Sequence, residues 1–264
     1  EEKDFYVKFF PTHNYEMAKK CAQTALKIYE EQKDLIEQAY FYPRPEATYR
    51  RLGWYDVGLE LLFKAKDMME MGLKDPSKQS ERKFRNCYQI VLGQIGLFYS
   101  SLEQAELVRE YTLRALEEAR RLNFEEGIYK ALINLGISYS GEDTEMALQY
   151  YLEALPYAEK NNNVDAIGVL QNNIGCVYED RGDLKKALEH CNKALDIIQG
   201  PEFNKYKPIF LKHIGRVSLK QKKFEDALEY LQESLIGATK LHKAEEIEEV
   251  NQLISKVYRE QGKF

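Results

Sequence analysis

The chain has 264 residues, of which 44% are hydrophobic and 31% charged, and its formal net charge is -5. That length covers two ordinary domains or one extended one, and so mild a charge gives no electrostatic reason to expect nucleic acid or an anionic membrane as partner. No apolar run approaches the ~18 residues that span a bilayer. Four cysteines, Cys21, Cys87, Cys176 and Cys191, lie far apart with no CxxC pair, which is the pattern of free thiols in a reducing compartment. The expected location is therefore cytoplasmic, with the periplasm as the alternative.

Taken in chain order, Phe5 to Phe10 reads as the tail of a first helix, and a small residue, Ala25, lies in the helix that follows. The next helix should cover Leu35 to Arg51, but Pro43 and Pro45 fall inside it. Proline removes a helical hydrogen bond, and the residue before it avoids helical angles, so a break is expected near Pro43. A second small residue, Ala65, follows 40 residues after Ala25. The polar stretch Asp75 to Ser80 then reads as an insertion.

From there a regular beat sets in. Gly96, Gly136, Gly175 and Gly215 sit in similar apolar segments, spaced 40, 39 and 40 residues apart. Each is followed by a second helix with a small residue at a fixed place: Ala115, Ala154, Ala194 and Ser234, spaced 39, 40 and 40. An irregular helical bundle has no reason to keep such a period, whereas stacked hairpins do. Gly93, three residues before Gly96, is expected to serve close packing as well. Pro156 should kink the end of its helix, and Pro208 is tolerable in an opening turn. The chain closes on Tyr258 to Phe264, a copy of the turn that elsewhere precedes a second helix, so both ends read as cuts in a longer protein. The apolar residues of the last helix, Leu253, Ile254, Val257 and Tyr258, are expected to lack a cover and to invite self-association.

The stretch Leu170 to Leu195, LQNNIGCVYEDRGDLKKALEHCNKAL, carries Gly175, Tyr178, Gly182, Ala187 and Ala194. Gly175 permits close helix approach, Gly182 the left-handed turn that ends a helix, and Asp183 can cap the next one. With this spacing the chain resembles the tetratricopeptide repeat in a 40-residue form. The resemblance implies an all-α, right-handed α-solenoid of about six hairpins plus a terminal helix, occupying residues 1–264 as a single domain with an irregular repeat near 35–80.

Catalytic patterns are not found. There is no GxGxxG or GxxxxGK[ST] phosphate cradle, and His13, His190, His213 and His242 have no ligand-spaced companions. No enzyme activity, cofactor or metal is expected. Cys176 and Cys191 fall in one hairpin, where small apolar filler is the ordinary role.

The resemblance implies a concave groove lined by first helices and used for a protein or peptide. Carried over residue by residue, its lining is Asn134, Ile137, Asn172, Asn173, Cys176, Lys212, Arg216, Gln252 and Lys256. Asparagine amides there can both donate to and accept from a peptide backbone, or can satisfy a neighbouring helix instead. Phe203 to Phe224 holds seven basic residues and no acidic one, and Lys212, Arg216 and Lys220 step by four along one helical face. Their anion is expected from an acidic or carboxylate-bearing partner segment, with Glu179 and Asp180 as the intramolecular alternative. The array is also similar to those of bacterial peptide-sensing regulators, which implies as alternative a ligand-sensing domain whose output domain lies elsewhere.

Overall fold

A computed structural model describes residues 49–50, 53–74, 82–200 and 205–262. The expected break at Pro43, the inserted residues 75–80 and the small residue Ala25 lie outside the described residues. Within them, ten α-helices and no strand occur. They are α1 (Tyr55–Leu73), α2 (Arg82–Ser101), α3 (Ala105–Arg121), α4 (Glu125–Tyr139), α5 (Thr144–Lys160), α6 (Val164–Asp180), α7 (Leu184–Ile197), α8 (Lys207–Lys220), α9 (Phe224–Lys240) and α10 (Ala244–Glu260). The chain forms two compact units, one ending at Gly127 and one beginning at Ile128.

The first unit packs α1, α2 and α3 around Leu62, Ala65, Met69, Phe84, Leu92, Ile95 and Phe98, all fully buried. In the second unit α6 pairs with α7 and α8 with α9, and α10 packs on α9. Five of the six expected second helices are thus described, as α1, α3, α5, α7 and α9.

The glycine beat has a steric cause. A methyl group added to Gly96 would stand 2.7 Å from Thr112 Oγ1, and one on Gly136 would stand 2.3 Å from the Tyr151 ring. On Gly175 it would meet Cys191 Sγ at 2.6 Å, and on Gly215 the Leu231 side chain at 2.7 Å. The residues met, Thr112, Tyr151, Cys191 and Leu231, recur every 39, 40 and 40 residues on the second helices. Each first helix therefore lies against its partner where it has no side chain. Gly93 differs, because nothing lies within 4 Å of its would-be Cβ; the packing role belongs to Gly96.

The small-residue ladder is equally enclosed: Ala65, Ala115, Ala154, Ala194 and Ser234 are all at 0% exposure. Ser234 fits because its hydroxyl donates to the Pro208 carbonyl at 2.6 Å. A ring-stacking beat closes three of the hairpins on themselves. Tyr99 stacks on Tyr111, Tyr139 on Tyr150 and Tyr178 on His190, with ring centroids 5.7, 5.6 and 5.3 Å apart.

Turns follow from local chemistry. Gly53 and Gly182 precede α1 and α7 by two residues with φ of 71° and 78°, a region where glycine avoids the Cβ clash. Asp183 then caps α7, accepting from the Lys186 amide. Pro208 sits in the first turn of α8. Pro156 lies inside α5, which continues to Lys160. Pro156 is exposed, so the carbonyl it leaves without a donor can turn to water.

The end of the second unit corrects one expectation. Val250 and Val257 of α10 are fully buried in a cluster with Leu219, Ala227 and Leu231, and Leu253 and Ile254 pack against it. Of the four apolar residues expected to lie uncovered, Tyr258 alone is exposed, at 36%. The opposite face carries Asn251, Gln252, Ser255, Lys256 and Arg259, a polar surface that water solvates. Self-association through an apolar face of this helix loses its basis.

This register makes a sharp contrast between neighbours. Ala194→Phe should cost at least about 1–3 kcal/mol by overpacking. Lys193→Ala, which loses an exposed pair with Glu189, should stay within about 0.5 kcal/mol. Urea denaturation of both variants measures the difference, and equal effects would refute the register.

Candidate functional site

First helices α4, α6, α8 and α10 of the second unit present the face from which the candidate residues project. Asn134 and Ile137 lie on α4, Asn172, Asn173 and Cys176 on α6, Lys212 and Arg216 on α8, and Gln252 and Lys256 on α10. Their environments differ more than their spacing suggests.

Ile137 is 47% exposed, a large apolar side chain left in water. Asn134 beside it is half-buried. Asn172 is 3% exposed and accepts a 2.8 Å bond from His213 Nδ1, so its carbonyl is committed to the next repeat. Asn173 is engaged by Tyr151, whose hydroxyl also meets Ser140 at 3.1 Å. Burial pushes the Tyr151 hydroxyl up to about 12, partly offset by those bonds. Of the two uses open to these asparagines, inter-helix bonding prevails for the α6 pair.

The basic stripe resolves in a similar way. The Arg216 guanidinium makes a two-pronged contact with Glu179: Nε at 2.8 and 3.0 Å and NH2 at 2.6 Å. Lys220 reaches the same carboxylate at 2.9 Å. The Glu179 side chain is 1% exposed, whereas those of Arg216 and Lys220 are 33% and 45% exposed. A buried carboxylate needs such paired donors, because an isolated one would face a prohibitive desolvation cost. Burial opposes the charge on Arg216, but the bonds it donates to Glu179 and that carboxylate's charge outweigh it and raise its pKa. Lys212, also enclosed, pairs with Glu249 of α10. Glu179 thus supplies the anion for Arg216, and Asp180 remains exposed. Lys256 is exposed and forms no ion pair with a described residue. Gln252 accepts no charge either; its amide donates to Glu248 at 3.3 Å.

Cys176, His213 and Asn172 form a constellation that superficially suggests nucleophilic catalysis, but its geometry does not. Sγ lies 3.3 Å from His213 Nδ1, the same ring nitrogen that bonds Asn172. A nucleophile's base must take the proton on one nitrogen and be oriented through the other. Burial also pushes the Cys176 thiol up to about 11, against the smaller opposing pull of Arg216. Burial and the neighbouring Arg216 and Lys212 hold His213 well below the usual imidazole value. Cys191, fully enclosed, is raised too, again mainly by burial. Both thiols act as protonated, free cysteines.

Beside these residues lies a cleft of about 600 Å³ where α4 meets the start of α6. Ile133, Val164, Ala166, Val169 and the Tyr206 ring line it, with Tyr129, Lys130, Asn163 and Asp165 at its edges. Val164 is 36% exposed. The polar groups are tied together: Asn163 donates to Tyr129 at 2.9 Å. Tyr206 donates to Asp165 at 3.1 Å and Lys205 pairs with the same carboxylate at 2.9 Å. Sequence reading missed this cleft, because Tyr206 enters from the connection before α8 and Val164 looked like an ordinary helix start.

Residues 170–200 match the family model of the tetratricopeptide repeat. The matching segment covers α7 and most of α6, and the glycine and small-residue ladders repeat its spacing in the other described hairpins. No curated protein sequence matches the chain significantly. Among solved structures, BtubC from P. vanneervenii is 15% identical, over 87% of this chain and 91% of that one, with a TM-score of 0.69. The apo form of RapI is 20% identical, over 85% and 83%, with a TM-score of 0.65. NprR in complex with its cognate peptide NprX is 17% identical, over 93% and 68%, with a TM-score of 0.65. At these identities the likeness is one of fold: an all-α tetratricopeptide-type solenoid.

Two measurements check the electrostatics of this face. Arg216→Glu should set a carboxylate against buried Glu179 and cost about 3 kcal/mol, the lower end for a broken buried pair because the guanidinium is a third exposed; a silent change would show that the pair is ornamental. For His213 the folded pKa lies below the unfolded value of about 6.5, so unfolding takes up a proton as pH falls. Its contribution to stability is complete above pH ~6.5 and declines below it by up to about 1.4 kcal/mol per pH unit. Denaturation midpoints compared between pH 7.5 and 5 should therefore fall less in His213→Gln than in the parent.

Proposed function

We propose that the chain is a non-enzymatic repeat module that binds a peptide or protein through the first-helix face of its second unit. The observation that carries this reading is the cleft at α4 and α6, continued by Ile137 one turn further along α4. There, Ile137 and Val164 stay in water beside a cleft whose lining is largely apolar. Mostly apolar lining with a few placed polar groups, in a volume of some hundreds of Å³, is what small ligands and peptide side chains use.

Fold relatives support a narrower form. NprR holds a cognate peptide, and a Rap conjugation regulator of plasmid pLS20 is likewise in complex with the Phr* peptide. This favours, as a second reading, the ligand-sensing domain of a bacterial regulator. An acidic or carboxylate-bearing partner segment would find its least encumbered cation at Lys256, with Arg259 one turn away and Gln252 beside it. Lys212 and Arg216 could serve such a segment only by releasing Glu249 and Glu179.

Selection of a displayed random peptide library on the chain tests the reading. Saturable binders should emerge and should lose at least about tenfold in affinity, ~1.4 kcal/mol, in Ile137→Glu. They should be indifferent to Ile236→Glu, which alters a still more exposed isoleucine on α9. No saturable binder, or equal loss in both variants, would contradict it.

A further inference from the structure

We infer that the cleft formed by α4, α6 and Tyr206 takes an uncharged peptide segment anchored by one aliphatic or aromatic side chain. This rests on the peptide-binding reading and specifies its chemistry. The argument is one of complementarity, both of surface and of charge. Ile133 of α4 and Val164, Ala166 and Val169 of α6 give the cleft its apolar lining, joined by the Tyr206 ring. Tyr206 is braced there, stacked on Phe210 with centroids 6.1 Å apart and bonded through its hydroxyl to Asp165. A braced ring is a preorganised wall, which lowers the ordering cost of binding.

Charge points the same way. The Asp165 carboxylate is neutralised by Lys205 at 2.9 Å. Further along the same helices, Glu179 satisfies Arg216 and Lys220, and Glu249 satisfies Lys212. An acidic residue entering in register with α6 and α8 would meet cations whose strongest bonds are already made. It would have to compete with a buried carboxylate held bidentately, which an incoming, better-hydrated group does poorly. A basic residue would add its charge beside Lys130, which lines the cleft, and Lys205, which reaches its edge at Asp165. An uncharged segment meets neither cost and covers Val164 and Ile137.

The same library distinguishes this inference from the reading it deepens. Sequenced binders should share one position rich in Leu, Ile, Phe or Tyr, flanked by positions depleted of Asp, Glu, Lys and Arg. Affinity should change by less than about threefold between about 0.1 and about 1 M salt, where surface charge pairs are screened out. Val164→Asp should abolish the apolar preference. It is a mild change for the fold, since an acidic residue in the first turn of α6 suits the helix dipole. Should circular dichroism nevertheless show that variant unfolded, Val169→Ala provides the same readout as a weakened preference. Binders rich in Asp or Glu that weaken steeply with salt would overturn the inference while leaving peptide binding intact. Binders that map to this face but survive both cleft variants would overturn it too, and a library that yields none would overturn both.

Discussion

The structure depends on one steric condition: each first helix must come close enough to its partner that a methyl group would not fit between them. Gly96, Gly136, Gly175 and Gly215 meet that condition against Thr112, Tyr151, Cys191 and Leu231. Glycine inside a helix costs about 1 kcal/mol relative to alanine, so four of them at a fixed period must each return more than that in packing. Close approach brings Ala115, Ala154, Ala194 and Ser234 to zero exposure. It also fixes the rotation of each first helix, and thereby which residues face away from the hairpin.

That rotation explains the chemistry of the outward-facing residues. In the second unit the same positions in successive repeats look onto one another, so residues about 37 to 41 apart in sequence become bonding partners. Asn172 meets His213, Glu179 meets Arg216, and Lys212 meets Glu249. The polar groups of the face are largely spent on holding neighbouring repeats in register. On α4 and at the start of α6 what is left open is apolar: Ile137, Val164 and the cleft lined by Val164 and Tyr206. A face neutralised from within and apolar where it is open is suited to a ligand that brings surface rather than charge.

The hairpin repeat was legible in the sequence because its cause is local and periodic. A required glycine and a required alanine recur wherever the helices meet, and Gly182 and Asp183 announce their turn and cap. Gly93 shows the limit of that logic, since it lies in a helix beside Gly96 yet faces open space. The apolar residues of α10 show another. Period marks Leu253, Ile254 and Val257 as apolar positions, but not that the preceding hairpin already covers them together with Val250. The candidate site was legible as a set of positions and not as a set of roles. Lys212 and Arg216 carry charge in any sequence reading, and Glu179 was open as an intramolecular anion beside Asp180, but packing decides for Glu179 and brings in Glu249, 37 residues from Lys212. Asn172 looks like a peptide contact until His213 is placed against it.

The most direct test of the steric account is a double-mutant cycle at Gly96 and Thr112 of the first unit. A Cβ at Gly96 conflicts with Thr112 Oγ1 at 2.7 Å, while the next nearest atom, the Val108 carbonyl oxygen, is at 3.6 Å, an ordinary contact. Gly96→Ala alone should therefore destabilise the protein to urea. In the Thr112→Ala background the same change should become neutral or stabilising, by up to about 1 kcal/mol, as the higher helix propensity of alanine is realised. If Gly96→Ala had the same effect in both backgrounds, the glycine would not be there for close approach, and the central claim would fail.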